Sequence, residues 1–142
     1  MADRPMIRTT ALALVLTFPA LGALAQDWAL DGIDPVAYGT QGAAVPGRSD
    51  IVTLWRGKTW HFLSEQNRNL FEANPRAYAP ALGGLCVVAL SEGRSEPGNP
   101  RYFAVVDQKT YLLRSRKAKE RFLADPQHIL EQAKAVWARL KQ

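Results

Sequence analysis

Residues 55–80 read WRGKTWHFLSEQNRNLFEANPRAYAP, which predicts a strand, a tight turn at Arg56-Gly57, a second strand and a helix closed by Asn74-Pro75. The pattern returns 51 residues later, and the shared positions are those that build structure: Lys58, Thr59, Trp60, Ser64, Phe71, Ala73 and Pro75 align with Lys109, Thr110, Tyr111, Ser115, Phe122, Ala124 and Pro126. We therefore expect an α+β fold of two β-hairpin–helix units packed together, followed by a C-terminal amphipathic helix.

The first 25 residues have the three regions of a secretory signal peptide. Arg4 and Arg8 precede an apolar segment, residues 9–21, that is too short to span a bilayer. Ala23-Leu24-Ala25 then has the small–x–small spacing of a cleavage site. Cleavage after Ala25 leaves one domain, residues 26–142, with no transmembrane segment and a periplasmic location. An exported protein does not meet nucleic acid, so we expect no such partner despite the formal net charge of +5.

Around the two units, the remaining elements follow from local signals. Residues 26–32 suggest a brief strand or extended lead-in, and residues 39–50 and 94–100 suggest loops because glycine and proline recur there. The segment LCVVALS, residues 85–91, is apolar on all sides and fits a buried strand or a buried helix, of which we prefer the helix. The last helix begins after Asp125, and we expect it to lie across the hairpins with one apolar face: Ile129, Leu130, Ala133, Val136, Trp137 and Leu140.

Several motifs within residues 28–137 resemble the YHS domain family, in the order that the family has them. The signature region is Trp60-His61-Phe62-x-Ser64, followed by Phe71 and Asn74-Pro75-x-x-Tyr78, with Trp60 in place of the tyrosine of the family. Two further motifs resemble an exported single-domain branch of the family: Leu30-x-Gly32-x-Asp34-Pro35-Val36-Ala37-Tyr38 and Gly83-Gly84-x-Cys86.

The resemblance implies a small α+β domain and a link to metal, because related domains in copper-handling proteins bind metal through cysteines. The positions that match those cysteines are occupied here by Ala37 or Tyr38, by Leu63 and by the segment 66–68. A site of several thiolates cannot be built from these residues.

Cys86, the only cysteine, and His61 are the candidate metal ligands. Together they suit Cu(I), or the histidine activates the thiolate as a nucleophile. The competing interpretations are a buried, inert cysteine and a hydrogen-bonded structural histidine. The second histidine, His128, is expected on the surface of the last helix.

The other candidate ligand-binding residues are Asp34 and Tyr38, which we expect beside Cys86, and the motif aromatics Trp60 and Tyr78. Asp34-Pro35 is also an ordinary turn signal, and aromatic residues at apolar positions more often fill a core. Paired carboxylates, a phosphate loop and a Ser-His-Asp order are not evident in the sequence.

These features support three hypotheses. The first is a periplasmic, non-catalytic binding protein of the YHS type that takes a metal ion, copper foremost, or a small ligand near His61 and Cys86. The second is an interaction module that docks on an acidic protein partner through the basic run Arg114, Arg116, Lys117, Lys119 and Arg121. The third is a thiol-dependent enzyme or redox component with Cys86 as the nucleophile.

Overall fold

The computed structural model describes residues 27–142. The predicted signal peptide, residues 1–25, lies outside this described part. The elements, in chain order, are α1 (Ala37–Gln41), β1 (Arg48–Trp55), β2 (Lys58–Phe62), α2 (Glu65–Ala73), α3 (Pro75–Tyr78), α4 (Val87–Ser91), β3 (Asn99–Val106), β4 (Lys109–Leu113), α5 (Arg116–Ala124) and α6 (Pro126–Leu140). This is the small α+β domain that the repeat predicts.

Both predicted hairpins form, each as a separate two-stranded antiparallel sheet. The turns are of type I′, with left-handed φ angles at Arg56 (51°) and Gly57 (75°) and at Asp107 (50°) and Gln108 (62°). The first strand of each hairpin begins earlier in the chain than expected. A bulge interrupts its pairing with the second strand, and the residues before the bulge pair again. The pairs Arg48 with Phe62 and Asn99 with Leu113 are therefore in the sheets, although both 39–50 and 94–100 were expected to be loops throughout.

The helix signals of the repeat are confirmed at their caps. Ser64 Oγ accepts a hydrogen bond from the backbone N–H of Asn67 at 3.2 Å, and Ser115 Oγ accepts one from Ala118 at 3.1 Å. Asp125 Oδ1 accepts from the N–H of His128 at 3.3 Å, with Pro126 in the first turn of α6. These short polar side chains begin the helices because they satisfy N–H groups that lack an intrahelical partner.

The repeat extends further back than the sequence alignment indicates. Each unit begins with a 3₁₀ turn, Ala29–Gly32 or Leu82–Gly84, and continues into a five-residue helix, α1 or α4. Equivalent antiparallel bridges join Ile33 to Pro46 and Leu85 to Pro97. The expected extended lead-in at 26–32 is therefore wrong for Ala29–Gly32, and the preferred helix over 85–91 is confirmed for Val87–Ser91.

Each unit has its own core. The first contains Ala29, Val36, Ile51, Trp60, Phe62 and Phe71. The second contains Cys86, Val87, Val88, Ala89, Leu90, Ala104, Tyr111, Leu113, Ala118, Phe122, Ile129, Leu130 and Ala133. A smaller cluster of Ile33, Tyr38 and Leu112 joins the two units.

The last helix covers α4 rather than the hairpins, which corrects our expectation. α4 is apolar on every side, so it needs a partner on the face that its own hairpin does not cover, and α6 supplies this through Ile129, Leu130 and Ala133. Gly83 permits the close approach, because a Cβ atom there would lie 2.8 Å from Trp137 Cη2. Leu140 remains exposed. Within residues 27–142, no helix is long and apolar enough to cross a membrane.

Candidate functional site

His61 is buried near the surface of the first unit. Successive residues of a strand point to opposite faces, so His61 lies across β2 from Trp60, which belongs to the first core. The ring of Trp28, itself 45% exposed, covers the imidazole with 4.5 Å between ring centroids. The loop before β1 passes so close that a Cβ atom at Gly47 would lie 2.4 Å from the His61 carbonyl carbon.

The imidazole of His61 has an unsatisfied nitrogen. The side chain is only 4% exposed, and Nε2 has no hydrogen-bond partner among the described residues. A buried polar atom without a partner costs about 1–3 kcal/mol. Nε2 can donate or accept a hydrogen bond, or coordinate a metal, so a ligand that reaches it beneath Trp28 would satisfy it.

Cys86 has a different environment. It is completely buried in the second core, it forms a parallel bridge with Leu112, and its N–H donates to the Glu96 carbonyl at 2.8 Å. The thiol is surrounded by the aliphatic side chains of α4 and its neighbours. A substrate or reagent reaches such a thiol only when the core opens.

The repeat assigns His61 and Cys86 to different units. The counterpart of His61 in the second unit is Leu112, and this leucine is the residue that neighbours Cys86. Neither His61 nor Cys86 lines either of two surface clefts of the described part. The predicted joint site of His61 and Cys86 stays a prediction.

Asp34 is fully buried, and its carboxylate is satisfied by the protein. Oδ1 accepts from the N–H of Val36 at 2.8 Å and of Ala37 at 3.4 Å, which closes the turn into α1. Oδ2 accepts from Leu63 N and Asn67 Nδ2, both at 2.7 Å. Asp34 thus ties the start of α1 to the end of β2 and to α2, which accounts for its burial without a ligand.

The aromatic candidates also have structural contacts. The Tyr38 hydroxyl donates to the Pro100 carbonyl at 2.6 Å, and its ring packs on Phe103 with 4.6 Å between centroids. Burial, and secondarily the negative charge of Asp31, raises the pKa of Tyr38 far above its usual range. Trp60 donates from Nε1 to the Trp55 carbonyl at 3.0 Å, and the partly buried Tyr78 packs against the first core.

Acidic residues partly neutralise the basic run, which begins at Arg114 and continues into α5. Arg114 pairs with Glu96, Arg121 pairs with Glu92, and Arg94 bridges both glutamates. Hydrogen bonds from Arg94 and Arg121 lower the pKa of Glu92. Arg116 and Lys117 are exposed, whereas the ammonium of Lys119 lies 5.1 Å from the centre of the Phe103 ring.

Two clefts of the described part lie elsewhere. One, of about 360 Å³, is lined by Asp31, Ile33, Ala44, Pro46 and Arg101. The other, of about 410 Å³, lies between α1 and the second unit and is lined by Tyr38, Gly39, Gly42, Phe103, Ala104, Val105, Lys119 and Leu123. Sequence reasoning included Tyr38 and Lys119 but missed Asp31 and Arg101, because no local pattern joins residues so far apart in the chain.

Within residues 27–142, no three His, Cys, Asp or Glu side chains come close enough together to hold a metal ion. A metal ion at His61 would therefore have few protein ligands and exchange readily. Comparison of the chain with protein-family models, with curated proteins and with solved structures finds no match.

Proposed function

We propose that this chain is an exported, non-catalytic binding protein of the YHS type that takes a copper ion or another small ligand through His61. The proposal places the protein in the periplasm after removal of residues 1–25. The ligand offers a hydrogen bond or a coordination position to the imidazole nitrogen Nε2, and Trp28 forms the cover over it.

The observation that carries this proposal is that Nε2 of His61, a histidine that is 96% buried, has no hydrogen-bond partner within residues 27–142. Natural proteins satisfy nearly all buried polar atoms, and an orphan is often explained by a bound ion, water or ligand. The corresponding position in the second unit is Leu112, so the scaffold does not require a polar side chain here. A histidine at this position is better explained by binding than by folding.

Metal retention tests the copper version of the proposal. The purified protein is dialysed against Cu(II), or against Cu(I) under reducing conditions, and bound copper is counted. We expect retention by the wild type and by His128→Ala, which changes the exposed histidine, and loss of retention in His61→Leu. No retention in the wild type removes copper, and retention by His61→Leu removes the His61 site.

A second variant separates the two candidate ligands. Cys86→Ala should retain copper if His61 acts without the buried thiol. If Cys86→Ala and His61→Leu both lose copper, the result supports the predicted pair of ligands. For a ligand other than a metal, the imidazole ¹⁵N resonances of His61 report binding directly. The periplasmic location is tested by the mass of the exported protein, which should begin at Gln26.

Two further proposals, the interaction module and the thiol enzyme, have specific tests. Arg116→Glu combined with Lys117→Glu should abolish capture of an acidic partner, because these cations are not in the Glu92–Glu96 network. A thiol-dependent activity should disappear in Cys86→Ala, although complete burial of this residue makes such an activity the weakest of the three proposals.

A further inference from the structure

Asp31 and Arg101 carry opposite charges on the same cleft. Asp31 belongs to the 3₁₀ turn of the first unit, and Arg101 belongs to β3 of the second unit, so the cleft of about 360 Å³ lies where the two units meet. Both residues are exposed, and among the described residues neither side chain forms an ion pair or a hydrogen bond. The two charges are thus free to face a third molecule.

The other lining residues of the cleft are apolar. They are Ile33, Ala44 and Pro46, and Ile33 belongs to the buried cluster that joins the units through Tyr38 and Leu112. The bridge between Ile33 and Pro46 fixes two of these lining residues relative to each other. The apolar lining is therefore held in place before a ligand arrives, whereas the ligand must order the exposed Arg101 side chain.

The backbone at Asp31 is left-handed, a conformation that aspartate tolerates better than most residues with a side chain. Leu30, Asp31 and Gly32 have successive left-handed φ angles of 55°, 52° and 82°. In the second unit the same turn is formed by Leu82, Gly83 and Gly84, so glycine stands where the first unit has Asp31. Glycine adopts this conformation freely and aspartate tolerates it, so the turn itself does not require an aspartate at position 31.

We infer that the cleft between Asp31 and Arg101 binds a small zwitterion, an amino acid with an apolar side chain. The ammonium group pairs with the Asp31 carboxylate, the carboxylate accepts hydrogen bonds from the Arg101 guanidinium, and the side chain covers Ile33, Ala44 and Pro46. A ligand with only one of the two charges leaves one rim residue without a partner. The cleft therefore selects against purely anionic and purely cationic molecules.

Titration of the full chain with L-leucine, followed by NMR, tests this inference. We expect saturable shifts of the backbone amides of Asp31 and Arg101, with half-saturation near or below about 1 mM. N-acetyl-leucine lacks the ammonium and leucinamide lacks the carboxylate, so each should bind at least about tenfold more weakly. Absence of saturation by L-leucine, or equal binding of all three compounds, overturns the inference.

Matched variants locate the binding. Asp31→Asn keeps a residue that tolerates the left-handed turn, and Arg101→Gln keeps a long polar side chain, yet each should weaken leucine binding at least about tenfold. Arg116→Gln removes an exposed cation elsewhere and should have no effect, as should His61→Leu. Equal weakening by Arg116→Gln overturns the inference, and the result with His61→Leu separates this cleft from the proposed His61 site.

Discussion

Cys86 occupies in the second unit the position that Asp34 occupies in the first. Both donate their backbone N–H to the loop that leads into the hairpin, Asp34 to the Val45 carbonyl at 2.9 Å and Cys86 to the Glu96 carbonyl at 2.8 Å. The side chain of Asp34 accepts from Asn67, whose counterpart in α5 is the buried Ala118. One scaffold thus accommodates a hydrogen-bonded polar pair in one unit and an apolar pair in the other.

The polar pair should be critical for stability. In Asp34→Asn, the amide NH₂ replaces one of the two acceptor oxygens. It then faces either the N–H groups of Val36 and Ala37 or the donors of Leu63 and Asn67, so buried donors meet without an acceptor in both orientations. We expect the free energy of unfolding in urea to fall by about 1–3 kcal/mol. Asp107→Asn, the same change in an exposed turn with positive φ, should be neutral within about 0.5 kcal/mol. Equal effects of the two variants would contradict the role assigned to Asp34.

The apolar counterpart predicts an unreactive thiol. Because Cys86 is fully buried, a thiol reagent should modify it stoichiometrically in denaturant and at least about 1,000-fold more slowly in native buffer, where the unfolded fraction limits the reaction. Absorbance on release of an aromatic thiolate from the reagent measures both rates. Rapid modification of the native protein would show that the cysteine is accessible and would support the hypothesis of a thiol-dependent enzyme.

A histidine that is kept for binding should lower the stability of the ligand-free protein, because its buried Nε2 has no partner among the described residues. Replacing His61 by Leu, the residue at the equivalent position 112, removes a buried unpartnered atom. We expect the free energy of unfolding of the ligand-free protein to be unchanged or to rise by about 1 kcal/mol. His128→Leu serves as the surface comparison. A loss of 2 kcal/mol or more (about one buried hydrogen-bond network) in His61→Leu would instead assign His61 a structural role.

The raised pKa of Tyr38 predicts that the protein loses stability at alkaline pH. Its pKa is raised on folding, so the native state binds this proton more tightly than the unfolded chain does. Stability from this group is complete below the unfolded pKa of about 10 and falls above it by up to about 1.4 kcal/mol per pH unit. Urea unfolding between pH 8 and 11.5 should show a shallower decline in Tyr38→Phe. The pKa of Tyr111 is also raised by burial, so Tyr111→Phe is measured in parallel.

Substitutions at two glycines with the same backbone conformation distinguish the cost of backbone strain from the cost of steric crowding. Gly42 and Gly83 both have φ near 63°, but a Cβ atom meets nothing within 4 Å at Gly42 and Trp137 at Gly83. Gly42→Ala should cost about 1–2 kcal/mol from the left-handed conformation alone. Gly83→Ala should cost more, because the Trp137 ring on α6 must move, and Trp137→Leu should reduce the difference. Identical costs would show that α6 does not need this close approach.

Much of the fold was predictable because its signals are local. A hydrophobic alternation, a capping serine such as Ser64 and a proline after a helix each act within a few residues, so the hairpins, α2, α5 and α6 follow from the chain directly. The position of α6 was not predictable in this way. Its apolar face identifies a buried side, but only the completed packing shows that α4 covers it.

The candidate site also has features that the sequence predicts and features that only the packing decides. The sequence by itself determined that His61 lies in a strand opposite Trp60 and that Cys86 is flanked by aliphatic residues. Only the tertiary structure decided that Nε2 of His61 has no partner in the described part of the chain, that Asp34 is satisfied by Leu63 and Asn67, and that Asp31 and Arg101 line one cleft. The reason is physical: burial and hydrogen-bond satisfaction depend on groups that the chain brings together from distant positions, and no local pattern encodes those neighbours.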